Sequence, residues 1–253
     1  MADIALGTGR WSAADLTDEV TDHLARIDHA TEVLVRSVTG LDELSVRQPS
    51  LLPGWSRAHV ITHLARNADA CSNLLLWART GIEHPMYASR DDRDQAIQQG
   101  ASRSHQLLLE DLVASSDRFA AAARSLPASD WTAEVTLALG EVIPALHVLR
   151  MRLLEVWAHL VDLDHDVDHA DIPVADAERL LEDVAQQFGG RHDVPALSLE
   201  VDFGTHRRTW DLRGTTSEPA RVSGEPGPVL GWLLGRTGPE DLRGEAPELP
   251  PWM

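Results

Sequence analysis

The sequence predicts an α+β protein, with an N-terminal four-helix bundle over residues 1–168 and a small α+β domain over 169–253. Three observations predict it. Four long stretches before residue 165 repeat apolar residues at helical spacing. A polar, acidic segment, DHDVDHADIP, then interrupts the pattern and places a boundary near 168–172. Beyond it, apolar and polar residues alternate as in strands. With 253 residues, 43% of them apolar and 25% charged, the chain can bury a core of this size, and nothing in it reads as disordered.

The first helix starts at Ser12, with Asp15 three residues on as a capping pair, and carries Leu16, Val20, Leu24, Ile27, Ala30, Leu34 and Val38 before Thr39-Gly40 ends it. Pro53-Gly54 is a turn. Ser56 then caps a second helix over about 56–80, which Gly81 ends and Pro85 keeps from restarting. A third helix begins near Ser89, with Asp91 and Asp92 at its positive end. It runs to about 125, with Gly100 as a point where it can break, and Pro127 closes it. WTAEVTLALGEVIP is ambiguous, with β-like Val and Thr before Gly140. A fourth helix, about 143–164, is apolar on most sides and therefore central to an up-down bundle. In the second domain, 174–189 reads as a helix and ALSLEVDFGTHRRTWDLRG as a hairpin about Gly204. ARVSGEPG is a further strand and turn, PVLGWLLGR a short helix, and APELPPWM an extended tail.

Charge and cysteine usage narrow the function classes. The 22 basic residues are all Arg and face 40 acidic ones, a net charge of −18. Such a chain repels nucleic acid and anionic lipid, so neither is an expected partner, and an anionic substrate would have to be held by local arginines. Cys71 stands alone, which forbids an internal disulfide and fits a reducing cytoplasm. The N-terminus has no charged and apolar leader pattern, and no run of 18 apolar residues spans a membrane.

Chemistry concentrates on two helices. Glu155 and His159 lie four residues apart, on one helix face about 6 Å apart along the axis. Their neighbours are Leu153, Leu154, Val156, Trp157, Leu160 and Val161, and a carboxylate is costly to bury there unpaired. A metal ion would resolve that cost, with Asp162 orienting His159. His59 and His63 on the second helix are also four apart, and either could complete a two-His, one-carboxylate set; spacing does not choose between them. Hydrogen-bonded core or surface histidines are the plainer reading of such pairs in a chain with 12 His.

Other features carry less. DLDHDVDHAD, from Asp162, alternates Asp like a calcium loop, but Val167 replaces the glycine and Pro173 the final glutamate, so a solvated linker is the better reading. Cys71 reads as a small buried hydrophobe rather than a nucleophile. No strand leads into GTGR, which is therefore not a phosphate loop. Arg90, Arg93 and Arg236 could each grip a carboxylate bidentately, or simply be solvated.

The segments GWSRAHVITHLARNADA, HPMYASRDDRDQAI and RMRLLEVWAHLVDL, with LGR and the PELPPW ending, resemble the mycothiol-dependent maleylpyruvate isomerase family in order and over nearly the whole chain. That family joins a DinB-like four-helix metal-binding domain to a small C-terminal α+β domain. The resemblance implies that His63, Glu155 and His159 hold zinc or another divalent metal, that Asp162 supports them, and that Arg236 is the functional arginine of the second domain. It leaves His59, Asn67 and Arg93 as candidate contacts to substrate or thiol. It implies mycothiol as thiol cofactor and a small anionic electrophile such as maleylpyruvate as substrate. In the implied reaction, part of gentisate degradation, a thiolate adds to the cis double bond, the bond rotates, and the thiolate leaves to give fumarylpyruvate. A free thiol of pKa about 8.5 is scarcely ionised at neutral pH, and zinc would make it thiolate outright. The same parts would serve a mycothiol S-transferase acting in detoxification or natural-product assembly. A third reading is a non-enzymatic, zinc-stabilised binding module. A monomer or weak homo-oligomer is expected.

Overall fold

The structure is a computed structural model and describes residues 13–216 and 218–252. It is an α+β fold whose described residues form two compact units, dividing between Asp166 and Val167.

The first unit is a helical bundle. Helix α1 spans Ala13–Gly40; Ser12, the expected cap, lies outside the described residues, as does GTGR. Helix α2 spans Arg57–Thr80 and ends at Gly81, whose φ of 67° is left-handed backbone that glycine adopts without strain. The expected third helix is two: α3 spans Arg90–Ala101 and α4 His105–Arg124. Ser89 and Ser104 cap them, each accepting a bond from a backbone N–H three residues on. Gly100 sits at the break because α3 crosses α2 closely there. A Cβ at Gly100 would lie 2.3 Å from Thr62 Cγ2.

The ambiguous segment resolves as a hairpin. Strands β1 (Glu134–Thr136) and β2 (Val142–Pro144) pair antiparallel around Gly140, whose φ is 87°. This corrects the start of the fourth long helix. Val142–Pro144 belongs to β2, where Val and Ile suit the pleat, so helix α5 spans Leu146–Asp162 rather than beginning at 143. α5 is buried on nearly every side, from Leu149 and Leu153 to Trp157 and Val161, as its composition predicts. The four long helices form a ring in which α1 packs on α5, α5 on α2, α2 on α4, and α4 on α1.

In the second unit, helix α6 (Val174–Gly189) buries Leu180, Leu181, Val184 and Phe188. Strands β3 (Leu197–Asp202) and β4 (Arg207–Leu212) form the expected hairpin. β3 also pairs parallel with β5 (Ala220–Gly224), and β5 pairs antiparallel with β6 (Arg243–Gly244), so the sheet order is β4-β3-β5-β6. β6, only two residues long, gave no periodic signal. Leu197, Leu199 and Val201 alternate inward from β3, which packs against helix α7 (Pro226–Leu233), while β4 packs against α6. The Pro-rich tail has no regular structure, yet its Trp252 is buried and donates to Gln187 Oε1 of α6 at 2.7 Å. Among the described residues no helix is long and apolar enough to cross a membrane.

Candidate metal centre

The packing of α2 on α5 brings His63, Glu155 and His159 together in the bundle, all buried. One ligand atom from each lies within 4.8 Å of the others. His63 Nε2 is 2.9 Å and His159 Nε2 3.5 Å from the same oxygen, Glu155 Oε2. The two imidazole rings stand edge-on, 4.6 Å apart at 89°.

The far side of each ring is also occupied. His159 Nδ1 donates to Asp162 Oδ2 at 2.7 Å, one turn on, and Asp162 is wholly buried. Such a carboxylate fixes the ring so that Nε2 faces the cluster. His63 Nδ1 accepts from Arg93 Nη2 at 3.4 Å, which leaves the ring proton on Nε2, facing Glu155. Arg93 also reaches across the ring of Tyr87, 5.8 Å from its centroid. Trp55 covers the His63 ring edge-on at 5.6 Å.

The electrostatics favour a cation in the middle. Burial pushes the Glu155 carboxyl up, but hydrogen bonds from His159 and His63 outweigh it and hold it well below the usual carboxylate range. Burial lowers His159, yet the bonds to Asp162 and Glu155 prevail and raise it to about 9. His63 is lowered, first by burial and then by the charge of His159. The Glu155 carboxylate is thus held ionised between the two rings. Two imidazole nitrogens and one carboxylate oxygen are the donors a divalent ion such as zinc takes, so the residues present fit such an ion.

The other histidine of the α2 pair does something different. His59 sits in the first turn, where its Nδ1 accepts from the backbone N–H of Ser56 at 3.2 Å and meets Ser56 Oγ at 2.7 Å. Its Nε2 bonds Gln98 Oε1 of α3. It caps the helix and is not one of the clustered residues. Asn67 is buried one turn beyond His63, and its Oδ1 accepts from Arg152 Nη1 at 2.8 Å. Cys71 Sγ points at the same oxygen, and burial pushes this thiol up to about 12, so it stays protonated at neutral pH. The alternating aspartates are spent locally: Asp162 on His159, Asp166 on Ser37, Asp168 on capping the turn at His169–Asp171. Arg90 is exposed in the first turn of α3. Arg236 lies in the second unit just past α7, where Nη1 donates to Leu234 O at 2.7 Å.

Sequence reasoning did not single out Trp55, Tyr87 or Arg152, although each falls inside a quoted motif. The lone aromatics of GW and MY beside the His and Arg were the available signal for the first two.

Fold and cluster together define an α+β protein whose helical bundle holds a buried two-His, one-carboxylate set. The sequence model of the mycothiol maleylpyruvate isomerase N-terminal domain matches residues 27–164. The chain belongs to this family, as the motifs imply. Two crystal structures are similar along nearly their whole length. One is of a mycothiol-dependent maleylpyruvate isomerase, 30% identical with a TM-score of 0.81. The other is of a histidine-to-alanine mutant of such an isomerase, also 30% identical, with a TM-score of 0.84. Each comparison covers 92% of this chain and 97% of the other. No curated protein matches the sequence.

Proposed function

We propose that the chain catalyses the mycothiol-dependent cis–trans isomerisation of maleylpyruvate to fumarylpyruvate, by reversible addition of a thiolate to the double bond. The observation that carries the reading is the buried His63–Glu155–His159 cluster, in a chain whose similar structures are isomerases of this kind. His63, Glu155 and His159 would hold zinc or another divalent ion. Such an ion supplies the Lewis acidity that keeps a thiol ionised at neutral pH.

The chain's own residues supply the rest. Asp162 holds His159 in the ligating tautomer. Trp55 shields the His63 ring from water. With Nε2 given to an ion, the neutral His63 ring would carry its proton on Nδ1 and would not accept from Arg93. Arg93, whose Nη1 pairs with Asp94, would then have Nη2 for a substrate carboxylate. Arg236 is the second cation of the proposal and would stabilise the negative charge that develops as the thiolate adds. Cys71 takes no part, because its thiol is buried and protonated. A reducing cytoplasm, where the lone cysteine stays reduced, is the compartment that suits a thiol-dependent reaction.

The test follows maleylpyruvate loss and fumarylpyruvate formation by zinc-loaded protein, with and without a small amount of mycothiol. Product exceeding the thiol supplied is the expected result. Thiol consumed one-for-one without fumarylpyruvate would overturn the proposal in favour of an S-transferase. In the same assay Arg236→Ala should keep zinc and thiol binding while kcat falls about 100-fold, the scale for losing one charge-stabilising donor. An unchanged kcat removes Arg236 from the reaction.

A further inference from the structure

Arg93 puts a positive charge beside the His63–Glu155–His159 cluster and within reach of solvent. Its side chain is 28% exposed, and Nη2 lies 3.4 Å from His63 Nδ1. In a chain of net charge −18 an anion needs such a local cation. Two other arginines of the neighbouring helices are committed elsewhere: Arg152 is 1% exposed, and Arg66 is paired with Asp69 and Asp111. Arg93 ends the first turn of α3, which the Ser89 cap starts. Three groups touch its guanidinium: His63 at Nη2, Asp94 at Nη1 at 2.8 Å, and the ring of Tyr87, whose centroid is 5.8 Å away.

The three holds are unequal. Asp94 is the next residue in the chain and its side chain is 54% exposed, so that pair fixes the guanidinium weakly. The His63 bond ends when Nε2 takes an ion, because the neutral ring then carries its proton on Nδ1. The Tyr87 ring remains, half-buried and placed by its own segment. Residues 82–88 join α2 to α3, and Asn73 of α2 donates from Nδ2 to Pro85 O at 3.3 Å and to Met86 O at 3.5 Å. The Met86 side chain next to Tyr87 is buried. Burial raises the Tyr87 hydroxyl and the charge of Glu155 raises it further, so the ring stays neutral and keeps the electron-rich face that a cation seeks.

We propose that Tyr87 is a positioning residue of the substrate site, whose ring holds the Arg93 guanidinium beside the cluster so that Nη2 receives a carboxylate of an anionic substrate. The inference rests on the reading of Arg93 as the carboxylate grip, and it names what keeps that grip in place. A guanidinium already held by a ring gives up little freedom when a carboxylate arrives, so binding costs less.

The test titrates the zinc-loaded, full-length protein with maleate, a cis dicarboxylate, by calorimetry. The wild type should bind one maleate per chain. Arg93→Ala should weaken binding at least about tenfold. Tyr87→Leu should weaken it about fivefold, the scale of losing a cation–π contact, with one zinc per chain in both variants. Tyr87→Phe keeps the ring and should recover most of the Tyr87→Leu loss. In the Arg93→Ala background Tyr87→Leu should cost nothing further, because the ring acts only through the guanidinium. Equal maleate affinity in wild type and Tyr87→Leu overturns the proposal. So does a Tyr87→Leu loss that persists in the Arg93→Ala background, or a wild type that binds no maleate. Maleylpyruvate turnover by the same proteins judges the isomerase reading separately. Maleate binding with this pattern but without fumarylpyruvate formation would overturn that reading and leave the Tyr87–Arg93 grip standing.

Discussion

The two edges of the bundle treat buried charge in opposite ways. At the α2–α5 edge Glu155 lies between two imidazoles, and His159 is braced in turn by Asp162. At the α1–α4 edge Arg152 keeps two nitrogens without partners. Both edges draw on α5, from residues only three and seven positions apart. The surroundings of each charge differ accordingly. A carboxylate between two histidines, with a supporting carboxylate behind, offers the donors that a divalent cation takes. Arg152 instead ties α5 to α2, through Nη1 to Leu64 O and Asn67 Oδ1, with its guanidinium over the Phe119 ring.

Substitutions along α2 and α5 test this contrast. The largest effect is expected from Asp162→Asn, which removes the brace behind His159. Zinc affinity, read by competition with a chelator, should fall about 10–100-fold while the helical circular dichroism holds. An unaltered affinity would mean that His159 needs no brace. His59→Ala should come next. It removes the ring that caps α2 at Ser56, so thermal unfolding should show a loss of about 1 kcal/mol, with one zinc still bound. Loss of zinc instead would exchange the roles of the two α2 histidines. Cys71→Ser should have the least effect. The serine hydroxyl can keep the bond to Asn67, so turnover should be unchanged and stability should shift by no more than about 1 kcal/mol. A folded but inactive variant would place the reactive thiol in the protein.

Much of this was legible in the sequence, and the exceptions have physical reasons. Long helices announce themselves by periodicity, and α1, α2, α5 and α6 follow it. The break between α3 and α4 depends on how closely α3 crosses Thr62, a tertiary fact that Gly100 only hints at. The start of α5 was misplaced because Val142 and Ile143 suit a helix face as well as a strand, and the pairing with β1 decides. The Glu155–His159 pair was readable from spacing inside an apolar run. The choice between His59 and His63 was not, because both fall on one stripe. It turns on Ser56 starting the helix, which puts His59 in the first turn and sends its ring back to the cap. Arg152 was invisible for a different reason. An arginine in a helix ordinarily reaches water, and only small residues such as Ser116 and Ala120 on the facing side of α4 let this one remain buried beside a cleft.

Whether His63, Glu155 and His159 hold an ion decides the reading of the α2–α5 edge. Its most direct test is a zinc titration, by calorimetry and native mass spectrometry, of the metal-stripped wild type alongside Glu155→Ala and His159→Ala. One ion per wild-type chain, and none in either variant while both stay helical, is the predicted result. Stoichiometric zinc retained by both variants would contradict it.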